Sequence, residues 1–127
     1  MSLGKFTLAM CLLTAPVWAQ FSRADMLKLA TDRSETLATT LKLSPDQVTA
    51  IKPLLETKCV YMGQIKDVYR ANVKSDPDNS KKDAKGSLKA INDKYNAQIY
   101  AILTPEQAKK YKRIQKDWKD DIILPKS

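Results

Sequence analysis

Sulfur-containing side chains are the main groups in this sequence that could do chemistry. The 127 residues include two cysteines, four methionines and no histidine. Cys59 and Met62 lie three residues apart, which places both on one helix face and could suit a soft metal ion. The same two positions continue a series of apolar residues spaced three or four apart, which we call an apolar seam. Packing in a core is therefore the favoured interpretation. The sequence therefore predicts no metal site and no cofactor.

Other catalytic arrangements lack the residue types that they need. Histidine is the usual general acid or base near neutral pH and the commonest metal ligand. Its absence excludes a Ser-His-Asp set and the usual zinc sites, and three glycines give no glycine-rich phosphate loop. The acidic residues stand beside lysines along predicted helices, which is the usual pattern of a solvated surface. We expect a protein that is not an enzyme.

The first 19 residues have the pattern of a secretory signal peptide. Lys5 is their only charge, an apolar stretch runs from Phe6 to Leu13, and small residues precede a cut after Ala19. We expect residues 1–19 to be cleaved and residues 20–127 to form a single domain; a retained anchor is the alternative. No other stretch is long and apolar enough to cross a membrane. The product is therefore expected to be exported and not embedded in the membrane.

Removal of this signal peptide, the leader, changes the cysteine count and the net charge of the chain. Cys11 leaves with it, so Cys59 has no partner for an intrachain disulfide. A buried thiol is the favoured interpretation of Cys59, and an intermolecular disulfide is the alternative. Loss of Lys5 lowers the formal net charge from +8 to +7.

A five-residue phrase occurs twice in the chain. Leu43-Ser44-Pro45-Asp46-Gln47 recurs 60 residues later as Leu103-Thr104-Pro105-Glu106-Gln107. In each copy a hydroxyl can cap a helix, a proline suits the first helical position, and a glutamine can complete a capping box. The repeat is therefore interpreted as a fold motif that starts two helices, and its glutamines are not interpreted as catalytic.

Apolar spacings of three and four residues predict four helical segments. The first opens at Ser22 with Asp25 in its first turn. The second opens at Ser44, and its seam runs on to Val73. Pro53 lies inside that seam, so we expect a kink near Lys52 rather than the end of the helix.

The two later segments follow a proline- and aspartate-containing stretch at 75–79, which predicts a loop. Ser80 and Asp83 are then expected to restart a helix in the manner of a capping box. The fourth helix opens at Thr104. The residues expected to face inward from it are Ala108, Tyr111, Ile114 or Gln115, Trp118 and Ile122.

These segments together predict an all-α protein, since none alternates with the period of a strand. We expect four helices arranged as two antiparallel hairpins, elongated and bent, because the connections at the two motif copies are short. The seams are narrow for one small monomer. A second copy of the chain is therefore the simplest partner.

The organisation resembles the periplasmic Spy and CpxP family. A signal peptide, four helices and Leu-Thr-x-x-Gln at two helix corners are its pattern, which residues 103–107 match fully and residues 43–47 match with serine for threonine. The resemblance covers nearly the whole mature chain. The resemblance implies a periplasmic location, a cradle-like homodimer and either of two roles. Spy is an ATP-independent chaperone for unfolded or partly folded proteins, whereas CpxP damps an envelope-stress sensor kinase.

A related branch of that family binds transition metals through histidine with methionine, cysteine or carboxylates. This chain departs from it because it contains no histidine. The resemblance implies only fold roles for the motif residues: the leucine packs, the hydroxyl caps and the glutamine closes the cap.

Basic residues at helical spacing are the candidate partner-binding groups. Like charges one turn apart slightly destabilise a helix, so the repetition of basic residues favours a function for them in binding. Met62 and Tyr69 are expected at the edges of open apolar patches beside them. The candidate basic residues are Lys52, Lys66, Arg70 and Lys74 in the second helix and Lys109, Arg113 and Lys116 in the fourth.

These observations favour a chaperone-like protein that binds unfolded or partly folded envelope proteins. A regulator that docks on the periplasmic domain of a sensor kinase is the alternative, and a metal-responsive sensor is a weaker one. Nucleic acid is not an expected partner. The positive charge would permit contacts with phosphates. However, the sequence contains no nucleic-acid-recognition motif, and the signal peptide directs the chain away from DNA.

Overall fold

Four α-helices and one short 3₁₀ helix make up the part of the chain that the structure describes, residues 23–125. The structure is a computed structural model. The predicted leader, its cleavage site and the Ser22 cap lie outside the described residues. The elements are α1 (Arg23–Thr40), α2 (Pro45–Asn72), α3 (Pro77–Ile102), α4 (Pro105–Asp117) and a 3₁₀ helix (Lys119–Ile122).

The all-α prediction is confirmed for residues 23–125, which contain no strand. None of the described helices combines the length and the apolar character that a membrane span requires.

The two motif copies cap α2 and α4 in the same way. Ser44 Oγ accepts a hydrogen bond from the backbone N–H of Gln47 at 3.2 Å, and Gln47 Oε1 accepts one from the backbone N–H of Ser44 at 2.9 Å. Thr104 and Gln107 repeat the exchange at 3.2 and 3.0 Å. A proline occupies the first turn in both helices. The two predicted capping boxes are therefore present.

The end of α1 contains a strained residue. Lys42 has a φ of 54°, in the left-handed region that glycine adopts more easily than other residues. The backbone N–H of the next residue, Leu43, donates to the carbonyl of Ala38 at 3.1 Å, which is the long bond of a Schellman motif. Lys42 therefore occupies the position that terminates α1 and turns the chain towards α2.

Two predictions concern prolines, and they have different outcomes. The helix α2 continues through Pro53, as its apolar spacing predicts. The expected loop at 75–79 is too long, because α3 already begins at Pro77. Pro77 is at the first helical position, where its missing N–H costs nothing and its fixed φ favours the helix. Ser80 and Asp83 therefore lie within α3 and do not restart it.

The main core draws on all four helices. Its buried apolar residues lie on one face of each helix, and Cys59 is among them as a buried free thiol. A smaller cluster lies further along α2 and α3, where Leu124 of the C-terminal segment packs on Tyr69, Val73 and Ala84. The main-core residues are Ala30, Leu37, Leu41, Ile51, Leu55, Cys59, Ile99 and Tyr111.

One prediction about the inner face beyond α4 is wrong. Ile122 was expected to face inward, yet it is 42% exposed, whereas its neighbour Asp121 is buried. The chain leaves α4 at Asp117 and tightens into the 3₁₀ helix. A 3₁₀ helix has about three residues per turn instead of 3.6, so the apolar spacing of α4 does not extend across it.

Candidate binding surface and buried polar network

The side chains of the two motif glutamines meet each other. Gln47 Nε2 donates to Gln107 Oε1 at 2.7 Å, and Gln107 Nε2 donates to Gln47 Oε1 at 3.1 Å. Each Nε2 also donates to a backbone carbonyl at the end of another helix, Gln47 to Ile102 and Gln107 to Leu41. The start of α2 therefore lies beside the end of α3, and the two capped corners share one hydrogen-bond network.

The basic residues singled out in the sequence are mostly exposed. This holds for Lys52, Lys74, Lys109, Arg113 and Lys116, while Arg70 is half-buried. Lys66 is also half-buried. Its Nζ donates to the backbone carbonyl of Asp120 at 3.1 Å, and burial lowers its pKa. Lys66 is therefore engaged in holding the C-terminal segment against α2.

Two candidate binding residues are not on the surface. Met62 packs within α2 next to the main core, and Tyr69 belongs to the smaller apolar cluster; both are buried. Met62 therefore does not border either open groove, whereas Tyr69 lines a groove between α2 and α3. Met62 contributes to packing, and Tyr69 is 9% exposed and packs in the smaller cluster.

A buried charge cluster lies where the C-terminal segment meets α1 and α2. Asp121 Oδ2 is 2.5 Å from Arg33 Nη1 and 3.6 Å from Lys58 Nζ. The Arg33 guanidinium also lies over the Trp118 ring, 4.5 Å from its centroid, which is a cation–π contact. Lys58 is 1% exposed and Asp121 is 9% exposed. The Asp121 carboxylate is therefore the counterion of two cations, Arg33 and Lys58, in a region that is shielded from bulk water.

Amides and phenols extend this cluster across the core. Lys58 Nζ donates to Asn96 Oδ1 at 3.2 Å, and Tyr111 OH donates to the same oxygen at 2.7 Å. Asn96 Nδ2 donates to Gln115 Oε1 at 2.7 Å, and Gln115 Nε2 donates to Tyr100 OH at 2.8 Å. No buried side-chain nitrogen or oxygen of the described residues lacks a hydrogen-bond partner. The network is therefore closed on itself.

Burial sets the protonation of the enclosed groups. It lowers the pKa of Lys58, an effect that the Asp121 charge opposes and the Arg33 charge reinforces. Burial also raises the pKa of the Cys59 thiol and of the Tyr111 phenol. A thiol and a phenol with raised pKa values stay neutral at pH 7 and are poor nucleophiles. These groups are enclosed and unactivated, so the arrangement stabilises the fold and offers no reacting atom to a substrate.

A small cavity of about 50 Å³ lies beside Cys59. Met26 and Met62 also line it, so three sulfur-containing side chains surround it. Arg33, Lys66 and Asp121 line the same cavity, and the Asp121 carboxylate is already paired with Arg33 and Lys58. The described residues contain no cluster of three or more histidine, cysteine, aspartate or glutamate side chains that could hold a metal ion.

Sequence reasoning missed the buried network, although a signal for it was present. Lys58 lies at seam spacing between Leu55 and Met62, and Asn96 follows Tyr95 one turn before Ile99. A lysine at an apolar position is normally interpreted as reaching to solvent with its amine. Here Asp121 supplies a buried countercharge from a segment 63 residues away, and no local pattern indicates that pairing.

An open face of α2 carries the most exposed apolar side chains outside the C-terminal segment. Tyr61 is 46% exposed and Val68 is 60% exposed. They lie seven residues, or about two turns, apart and therefore share one face of the helix. Gln64, also exposed, lies between them.

Two grooves adjoin this face and meet at Gln64. The first, of about 470 Å³, lies between the start of α1 and α2 and is lined by residues that include Leu27, Pro53, Val60 and Tyr61. The second, of about 540 Å³, lies between α2 and α3. We call it the α2–α3 groove. The residues that line it are Gln64, Ile65, Val68, Tyr69, Asn72, Ser75, Asp76, Asn79, Ser80, Asp83, Ala84 and Ser87.

Comparison with known proteins gives one match. A family model described as a domain of unknown function, DUF4890, matches residues 19–111. The matched region contains α1, α2, α3 and both motif copies, and it ends within α4 at Tyr111. No curated protein and no solved structure matches the chain.

Proposed function

The chain belongs to the DUF4890 family, whose description assigns no function, and we propose that it is an exported, ATP-independent chaperone-like protein that binds unfolded or partly folded clients. The observation that carries this proposal is the open α2 face, on which Tyr61 and Val68 lie exposed between two grooves that meet at Gln64. A contiguous apolar surface that stays exposed in a folded protein, here Tyr61 and Val68 with the apolar lining of both grooves, is typical of interaction sites.

The shape of this face suits loose binding of an extended segment. The two grooves continue each other along α2, and both combine apolar and polar lining residues. Shallow grooves and a few apolar side chains give weak and reversible binding, because little of the client surface is fully enclosed. A chaperone without a nucleotide site needs such binding, since the client must leave without energy from ATP.

The resemblance to the Spy and CpxP family supports the finer part of the proposal. This finer part of the proposal comprises cleavage after Ala19, a periplasmic location, an elongated and bent arrangement of two hairpins, and a cradle-like homodimer. The exposed lysines and arginines on α2 and α4 would then attract acidic stretches of clients at long range. Light scattering coupled to size-exclusion chromatography measures the oligomeric state directly.

An aggregation assay tests the proposed function. A chemically unfolded client is diluted into low-salt buffer with an excess of the purified protein, and turbidity is followed. We expect suppression of aggregation by the wild type and a clear loss of suppression in the double variant Tyr61→Ser/Val68→Ser. Both side chains are exposed, so the variant should keep its helical circular dichroism and its melting temperature.

A matched control distinguishes binding at this face from nonspecific hydrophobic binding at any exposed apolar side chain. Ile122 and Ile123 are 42% and 52% exposed, but they lie in the C-terminal segment. The variant Ile122→Ser/Ile123→Ser removes a similar exposed apolar area and should suppress aggregation as the wild type does. Absence of suppression by the wild type would refute the proposed function. Equal loss in both double variants would refute its assignment to the α2 face, and one tight partner in pull-downs would favour a regulator instead.

A further inference from the structure

The α2–α3 groove differs in charge from the rest of the protein. The chain carries 22 lysines and arginines against 14 acidic residues, yet the described residues that line this groove include no lysine or arginine. Its charged lining residues are Asp76 and Asp83, and its apolar side chains include Ile65 and Val68. The groove is therefore an acidic and apolar surface on a basic protein.

The helix geometry keeps the nearby cations away from this groove. Lys66 lies two residues from Val68, which places it about 200° around α2, where it bonds the C-terminal segment. On α3, Lys85 is separated from Asp83 by the same angle of about 200°. Lys82 lies closer, about 100° from Asp83 around α3, and Lys74 precedes Ser75 in the turn, but neither lines the groove. The charged side chains of the groove lining are therefore the two carboxylates.

From this separation we propose that the α2–α3 groove binds client segments in which apolar residues are combined with lysine or arginine. This inference rests on the proposed function and specifies the client chemistry for one part of its surface. The apolar side chains of the segment would cover Val68 and Ile65, while an ammonium or guanidinium group would reach Asp83 or Asp76. Segments with glutamate or aspartate at the same positions would meet like charge.

The overall positive charge of the protein does not prevent this preference. At physiological ionic strength the Debye length is about 8 Å. Lysines on the far sides of α2 and α3 are largely screened from a segment in the groove. Asp76 and Asp83 are lining residues and act within that distance. Local complementarity therefore decides which segment binds at 0.15 M salt, although a basic segment approaches more slowly at low salt.

A pair of labelled peptides tests the preference. The two peptides have equal length and the same apolar residues and differ only in carrying lysines or glutamates. We expect the lysine peptide to bind the wild-type protein about fivefold tighter in a fluorescence anisotropy titration at 0.15 M salt. The variant Asp83→Asn should lose most of this difference. Val68→Ser should weaken both peptides to a similar degree.

Glu35→Gln provides the matched control. Glu35 is an exposed residue of α1 that does not line the groove, and its substitution changes the net charge by the same amount as Asp83→Asn. The control should keep the preference for the lysine peptide. Loss of the preference in both variants would mean that net charge, and not the groove, selects the peptide, which would overturn the inference.

The remaining outcomes separate this inference from the proposed function. Equal binding of both peptides, or tighter binding of the glutamate peptide, with aggregation still suppressed, would overturn the inference and leave the proposed function intact. Absence of peptide binding together with absence of suppression would refute both. A wild-type dimer in light scattering that dissociates in Asp83→Asn would identify a second copy of the chain, with its basic α4, as the occupant and overturn the inference.

Discussion

Gln47 and Gln107, 60 residues apart, share a hydrogen bond of 2.7 Å between their side-chain amides. Each amide is also fully used, since its oxygen accepts from a backbone N–H at a helix start and its nitrogen donates to a carbonyl at a helix end. A side-chain amide has two donors and two acceptor sites, and both glutamines use all four. The two capped corners are thus joined by a polar contact that only amides can make.

This contact explains why both motif copies carry glutamine and not glutamate. A capping box accepts either residue, because either can receive the hydrogen bond from the backbone at the helix start. Glutamate lacks the N–H groups that reach Leu41, Ile102 and the opposite glutamine. We expect Gln47→Glu to lower the free energy of unfolding by about 1–3 kcal/mol, since it leaves part-buried acceptors without donors.

Urea unfolding monitored by circular dichroism measures this loss. Gln98→Glu, on an exposed position of α3, is the control for the added charge and should change stability by less than about 0.5 kcal/mol. The double variant Gln47→Glu/Gln107→Glu should be destabilised beyond the sum of the singles, because two carboxylates then face each other. Additive losses would show that the two corners are not coupled.

The sequence predicts the local part of this arrangement and not the long-range part. Serine or threonine, proline and glutamine at fixed offsets identify each helix start, because capping depends only on neighbouring residues. The contact between the two corners depends on how α2 and α3 pack. Lys58 and Asp121 illustrate the same limit, since a buried ion pair between distant segments leaves only unpaired charges in the sequence. At Pro77 the local signal is ambiguous, because proline is favoured both in turns and at the first position of a helix.

Lys42 offers a test of the strain at the end of α1. Its φ of 54° costs a non-glycine residue roughly 1 kcal/mol or more. Lys42→Gly should therefore raise the free energy of unfolding by about 0.5–1 kcal/mol, after allowance for the greater freedom of glycine in the unfolded chain. Chemical denaturation measures the gain. Lys42→Ala is the control, because it removes the same charge and keeps the strain; a gain of equal size in both would assign the effect to charge.

Asp121 balances two enclosed cations, and its removal should be costly. Asp121→Asn leaves Arg33 and Lys58 without their carboxylate, so we expect a loss of about 3–5 kcal/mol in the free energy of unfolding. The C-terminal segment should also loosen, with faster amide hydrogen exchange around residues 119–124. Asp120→Asn is the control, since Asp120 is exposed and contributes its backbone carbonyl to Lys66. Similar losses in both variants would contradict the assigned role of Asp121.

Lys58 makes the stability of the protein depend on alkaline pH. Burial lowers its pKa in the folded protein below the ordinary value of 10.5. Between the folded pKa and 10.5, the unfolded chain therefore binds more protons at this group than the folded chain does. Stability that arises from Lys58 consequently rises as the pH increases through this window and is lost as the pH falls through the folded pKa.

Comparison with Lys58→Met isolates this effect when both proteins also carry Cys59→Ala, because the Lys58 charge itself lowers the pKa of the Cys59 thiol. Lys58 is not among the causes of the Lys66 and Tyr111 pKa shifts, so those two titrations cancel in the difference. Methionine has a similar length and needs no countercharge, and Asp121 keeps its ion pair with Arg33. We expect the stability of the wild type relative to Lys58→Met to increase as the pH rises from neutral towards 10.5, the ordinary pKa of a lysine, because burial lowers the pKa of Lys58 below it. Urea unfolding of both proteins at several pH values measures the difference. A difference that stays constant, or that falls as the pH rises, would mean that the amine keeps its ordinary pKa despite its burial beside Asn96.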